Sequence, residues 1–186
     1  MKFFKNPLVS IILSAALICA STLLSVNVKF GRECREITNL FFDGMVFNGE
    51  QQDGIAKHLK DIYTSCDNIN IVAEKYGVIN EDFIYRSEDL RLSLTYSEDD
   101  ASYIYYCYDE LLKELRYVTG ELASKDLSID DLGDLNEALF IIDEAKEQIS
   151  QSGYNQAVRD FLRDIPEFPT EELAEAAGVN LPEYFL

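Results

Sequence analysis

The chain carries one histidine, His58, and four cysteines, Cys19, Cys34, Cys66 and Cys107. A metal centre needs such ligands at short spacings, yet the cysteines stand 15, 32 and 41 positions apart with no Cys-x-x-Cys pair. His58, alone on a helical stretch, reads as a packing or surface residue rather than a base. Cys34 and Cys66 fall on apolar stripes, so they read as buried thiols, with a disulfide between them as the alternative. Carboxylates gather in SEDDASY and SIDDLGDLNEA, but Asp99, Asp100, Asp130, Asp131 and Asp134 sit where helices would begin. There a carboxylate serves the positive end of the helix dipole. The sequence lacks the alternating oxygen ligands with Gly and Glu that an EF-hand loop needs, and it contains no GxSxG, Walker loop or GxGxxG. No catalytic residue, cofactor or metal ligand is therefore assigned.

The remaining chemistry is contact chemistry. In YIYYCYDELL the helical period puts Tyr108 on an apolar seam, while Tyr103, Tyr105 and Tyr106 cannot all share its face. Helix packing is the plainer reading of the run; as the alternative, with one or two of the three exposed, Tyr103, Tyr105 and Tyr106 form the candidate partner surface.

The elements that must position these residues follow from charge and hydropathy. Acidic residues outnumber basic ones 34 to 16, for a net charge of -18, a field that repels nucleic acid. Residues 6–28, from Asn6 to Val28, hold no charge, and about 20 apolar residues suffice to cross a bilayer as a helix. Residues 1–28 are accordingly expected to be a transmembrane anchor for a single-pass protein of the cell membrane. The alternative is a signal peptide cut ahead of Ser21 or Val26, leaving a secreted helical binding protein. Lys2 and Lys5 on one side nearly balance Lys29, Arg32 and Arg35 on the other, so orientation stays open.

Beyond the anchor, apolar residues recur at steps of three and four. One stripe is Phe30, Cys34, Ile37, Phe41, Met45; a second is Ile55, Leu59, Ile62, Cys66, Ile69, Ala73, Tyr76; a third is Ile104, Tyr108, Leu111, Leu115, Val118, Leu122. The fourth, Leu132, Leu135, Leu139, Ile142, Ala145, Ile149, continues past Gly153 through Tyr154, Val158, Phe161 and Ile165, which predicts one long helix with a drifting face. Gly44 with Gly49, and Gly77 with Asn80, mark breaks. Ser97 with Asp100 and Ser128 with Asp131 have capping-box spacing. Residues 81–96 read as a less regular lead-in helix, and nothing argues for a sheet. The expected architecture is all-α: the anchor, an antiparallel bundle of about four long helices over residues 29–165, and a short helix with an apolar tail over residues 166–186.

The chain ends YNQAVRDFLRDIPEFPTEELAEAAGVNLPEYF before the final Leu186. Tyr154, Asn155, Val158, Ile165, Phe168, Pro169, Leu173, Ala174, Gly178, Val179, Tyr184 and Phe185 match, without a gap, the C-terminal signature of the LemA family, which this stretch resembles. Upstream, in TSCDNINIVAEKYG, only Asn68, Ile69, Val72 or Ile71, and Tyr76 fall in register, and Asp67 stands where the family has proline. The resemblance implies a single-pass membrane protein with a helical-bundle domain and no characterised reaction. In physical terms, Gly178 would close the short helix in the left-handed conformation, and Leu181, Tyr184 and Phe185 would cover the apolar end of the bundle. The expected function is a non-enzymatic interaction or scaffold module at the membrane with a protein partner.

Overall fold

One helix, α1 (Pro7–Asp43), runs through the apolar segment and on into the folded domain without a break at residue 28. The structure is a computed structural model that describes residues 7–47, 50–97, 100–164 and 170–186. The segment Val9–Phe42 is long and apolar enough to cross a membrane. Along its first turns Ile11, Ile12, Leu17, Ile18, Leu24 and Val28 are each 65–70% exposed. From Phe30 onward the helix changes character: Cys34, Ile37 and Phe41 turn one face inward, as the first stripe requires.

That stripe ends earlier than periodicity predicts. Met45 begins a strand, β1 (Met45–Phe47), paired antiparallel with β2 (Glu50–Gln52) in the register Met45↔Gln52. This hairpin corrects the expectation of no sheet. Gly44 makes it possible: its φ is +78°, and a Cβ there would stand 1.9 Å from the Gln52 carbonyl oxygen.

After the hairpin, α2 (Ile55–Lys75) is the central helix, touching α1, α3, α4 and α5. Its stripe from Ile55 to Ala73 is buried throughout. The segment expected to be a short lead-in is a full helix, α3 (Glu81–Tyr96), capped by the Asn80 side chain and packed on α2 and α4 with Phe83 and Leu90 buried. The helix α4 (Ala101–Leu122) buries its whole third stripe. Ser97 does not open it; Ser97 ends α3, and Asp100 caps α4 by accepting from the Tyr103 N–H at 2.7 Å. Ala101, its first residue, is already buried.

The helix α5 (Ile129–Gln151) packs on α2, with the Ser128 hydroxyl accepting from the Asp131 N–H as the capping spacing predicts. Its buried register, however, is Leu135, Ala138, Ile142, Ala145, and Leu132 is 47% exposed. The long continuous helix is also interrupted: the extended Ser152 and then Gly153 separate α5 from α6 (Tyr154–Asp164). Last comes α7 (Thr170–Ala176), closed by Gly178 at φ +69° with the Val179 N–H bonded to the Ala174 carbonyl. It lies on α1, where Ala174 and Val179 pack with Cys34 and Phe30, and the Asn27 amide donates to the Ala177 carbonyl at 2.8 Å. Cys34 and Cys66 are both buried free thiols in separate clusters, not a disulfide.

Asp131 ties the end of α2 to the start of α5. It accepts from the Lys75 ammonium at 2.6 Å, the Ser128 hydroxyl at 2.7 Å and the Tyr76 hydroxyl at 2.8 Å. Those donors, Lys75 first, pull its pKa down to about 2. Because the unfolded carboxyl titrates near about 3.9, the bonds add stability above that pH and lose it as pH falls toward 2. The Asp131→Asn variant should melt lower at pH 7 and show a flatter loss of melting temperature between pH 5 and 2. Parallel pH profiles for variant and parent would contradict this hub.

Candidate interaction sites

The C-terminal segment ends in a box of aromatic rings. Phe41 comes from the last turn of α1, Tyr105 and Tyr108 from α4, and Tyr154 from the first residue of α6. Phe185, 4% exposed, fills the space between them, its ring centroid 5.1 Å from that of Tyr105, 5.6 Å from Phe41 and 5.8 Å from Tyr108. Phe41 and Tyr154 meet edge to face at 5.2 Å. Such geometry aligns ring edges with ring faces and contributes beyond simple burial.

Polar contacts fix the segment in register. The Asn155 side chain donates to the Phe185 carbonyl at 2.9 Å and accepts from the Phe185 N–H at 2.8 Å. Next to it the Tyr154 hydroxyl donates to the Glu183 carbonyl at 2.8 Å. From α4, the Ser102 hydroxyl donates to the Tyr184 carbonyl, and the Ser102 N–H meets the Glu183 carboxylate, both at 3.4 Å. Burial pushes the hydroxyls of Tyr154 and Tyr108 up to about 12, so both stay protonated at ordinary pH, and Tyr154 remains a donor.

Of the signature residues, Tyr154, Asn155, Val158, Tyr184 and Phe185 therefore meet in one arrangement, while Ala174 and Gly178 belong to α7 and its closing turn against α1. Val158 is fully buried on the same face of α6 as Tyr154, Ala174 anchors α7, and Tyr184 is half-buried against the core. Phe168 and Pro169, like Ile165, lie outside the described residues. Sequence reasoning missed Phe41 and Ser102 as parts of this arrangement. Neither carries a local signal, since each meets the segment from more than 80 positions away.

The three tyrosines of the candidate surface part company. Tyr105 turns inward to Phe185 and leaves that surface, whereas Tyr103 and Tyr106, 41% and 50% exposed, stack at 6.4 Å on the outer face of α4. Beside them on α3, Tyr85 is exposed with the Arg86 guanidinium over its ring. The Tyr103 hydroxyl and the Cys107 thiol both donate to the Asp89 carboxylate, at 3.5 and 3.6 Å, and the adjoining Cys107 first, then Asp89, push the Tyr103 phenol up to about 12. Cys107 itself is buried, and its pKa is raised by that burial and by Asp89, which leaves it a poor nucleophile.

His58 is half-buried and lines a small cleft with Met45, Gln148 and Tyr154. Burial strongly raises the pKa of Cys66. Among the described residues no three His, Cys, Asp or Glu side chains gather as metal ligands would. Compared with known proteins, the chain matches no family model, no curated protein and no solved structure.

The ring box and the Asn155–Phe185 bonds rank three substitutions by their cost to stability. Phe185→Ala empties the ring box and should cost about 3–5 kcal/mol. Asn155→Ala orphans two main-chain groups and should cost about 1–3 kcal/mol. Leu186→Ala, at an exposed end, should fall within about 0.5 kcal/mol of the parent. Urea melts of the three variants test the order, and equal midpoints would refute it.

Proposed function

We propose that the chain is a non-enzymatic, membrane-tethered interaction module, a divergent LemA-like protein whose helical domain is carried on α1. The observation behind the tether is the change along α1. Apolar side chains stand exposed around the whole helix from Ile11 to Ile18, Leu23 and Val26 are half-buried, and the same helix becomes a packed member of the domain from Phe30. A helix apolar on every side is stable where its surroundings are apolar as well. The twenty or so residues before the domain supply about 30 Å of helix, the thickness of a bilayer core.

What supports the LemA-like relation is spatial convergence. The Tyr-Asn pair and the closing Tyr-Phe pair, 30 positions apart, meet through the two-sided bond of Asn155 to Phe185. A signature whose members bond to one another is better explained by a shared packing constraint than by chance composition.

The face offered to a protein partner is the outer side of α3 and α4, where Tyr85, Tyr103 and Tyr106 are exposed among carboxylates. Aromatic side chains are the usual anchors of protein interfaces. Cleavage ahead of Ser21 or Val26 is the competing reading, because it would leave every packed residue of α1 in place.

The full-length protein should stay in the membrane pellet through high-salt and carbonate washes, with its N-terminus near Met1. Recovery of a soluble chain beginning at Ser21 or Val26 would replace the tether with secretion. On the partner face, Tyr103→Ala and Tyr106→Ala should each leave the melting temperature within about 2 °C of the parent while weakening partner binding. A large fall in melting temperature for either would make that tyrosine a packing residue instead.

A further inference from the structure

The groove that holds the C-terminal segment has the chemistry of a peptide site. Asn155 pairs with both the N–H and the C=O of Phe185, as a neighbouring strand would, and so reads main chain rather than side-chain identity. Tyr154 takes the Glu183 carbonyl and Ser102 the Tyr184 carbonyl, so three successive residues are held through their backbones. Two of its side chains, Pro182 and Phe185, are buried, the Phe185 ring within the aromatic box; Leu181 and Tyr184 are half-buried, and Glu183 and Leu186 face solvent. Main-chain pairing plus buried anchor side chains is how grooves bind extended peptides.

The bound segment is separable from the rest of the fold. It follows the turn at Gly178 and contains Pro182. From Leu181 to the end, no backbone–backbone hydrogen bond joins it to any element among the described residues. Its hold consists of contacts that a free heptapeptide could make equally well.

We propose that this groove is a peptide-binding site whose ligand is the segment 180–186, supplied by the chain itself or by a second copy in exchange. Each copy offers one groove and one segment, so mutual exchange closes a two-fold dimer. In one copy the tether keeps the segment at an effective concentration of about millimolar, so exchange is favoured when copies are crowded or the resident segment is weakened. The proposal does not depend on whether α1 spans a membrane.

Two full-length variants in detergent separate groove from segment. The Asn155→Ala chain keeps a good segment but a damaged groove; the Phe185→Ala chain keeps a good groove but a damaged segment. Mixed together, they should form a species of twice the mass that neither forms alone, read by light scattering after gel filtration. A labelled synthetic peptide of residues 180–186 should bind the Phe185→Ala chain saturably, and at least tenfold more weakly to the parent chain and to the double variant with Asn155→Ala. If the Phe185→Ala chain loses its helical circular dichroism, a parent chain with a protease site between Val179 and Asn180 takes its place. After cleavage, the released segment should travel with the body through gel filtration. Mixtures that stay monomeric overturn the exchange. Peptide binding that is absent or indifferent to Asn155, or a cleaved segment that elutes alone, overturns the site itself.

Discussion

Phe41 is the joint of the structure. It stands in the last turn of α1, and its ring meets Phe42, Tyr154 and Phe185, so one side chain couples the long apolar helix to α6 and to the chain's end. Nearby, a Cβ on Gly54 would stand 2.5 Å from the Phe41 carbonyl oxygen, so α2 begins directly against the end of α1. A helix that leaves its domain as one unbroken rod can transmit its position only through such contacts. The second grip is the smaller cluster of Cys34, Ala174 and Val179, lower on α1, where small side chains let α7 lie close.

Charge plays a secondary part in holding this fold. The ion pairs of Lys57 with Asp53, Arg91 with Glu88 and Lys146 with Asp143 link residues three or four apart in the chain and are largely exposed to water, so they contribute little to stability. Inside, the polar groups are few and satisfied: Ser87 bonds Asp67 and the Tyr63 carbonyl, and Ser93 bonds the Leu90 carbonyl. Between helices, Arg86 of α3 pairs with Glu110 of α4, and Asp131 joins residues 55 and 56 positions apart through charged and neutral donors together. The net charge of -18 therefore acts outward, on the class of partner that can approach, more than inward on the fold.

The places where periodicity and structure disagree share a cause. Along α5 the stripe beginning at Leu132 and the stripe Leu135, Ala138, Ile142, Ala145 have the same spacing of three and four, so hydropathy alone cannot choose between them. The two share Leu135, Ile142 and Ala145; Ala138, in place of Leu139, decides it, because its small side chain lets α5 approach α2, and Leu132 is left outside. Met45 continued its stripe on paper, but the left-handed Gly44 takes the chain out of the helix first. Likewise Ile71 and Val72 both suited the upstream pattern; Val72 is buried and Ile71 exposed, a choice made by the direction of the α2 face.

What the sequence determined by itself is what lies within a few turns of helix: the uncharged segment, the stripes of α1, α2 and α4, the cap at Ser128, and the left-handed close at Gly178. These depend on interactions between residues three or four apart, which periodicity records directly. The tertiary structure alone decided that Tyr105 belongs to the core while Tyr103 and Tyr106 face outward, that α3 is a full member of the bundle, and that Asn155 holds Phe185. Resemblance marked the Tyr-Asn and Tyr-Phe pairs as a signature, but not as partners. Their meeting, with Phe41 arriving from more than 100 positions upstream, follows from how the helices stack. Burial and hydrogen-bond satisfaction select that arrangement across the whole chain at once, and no local spacing encodes it.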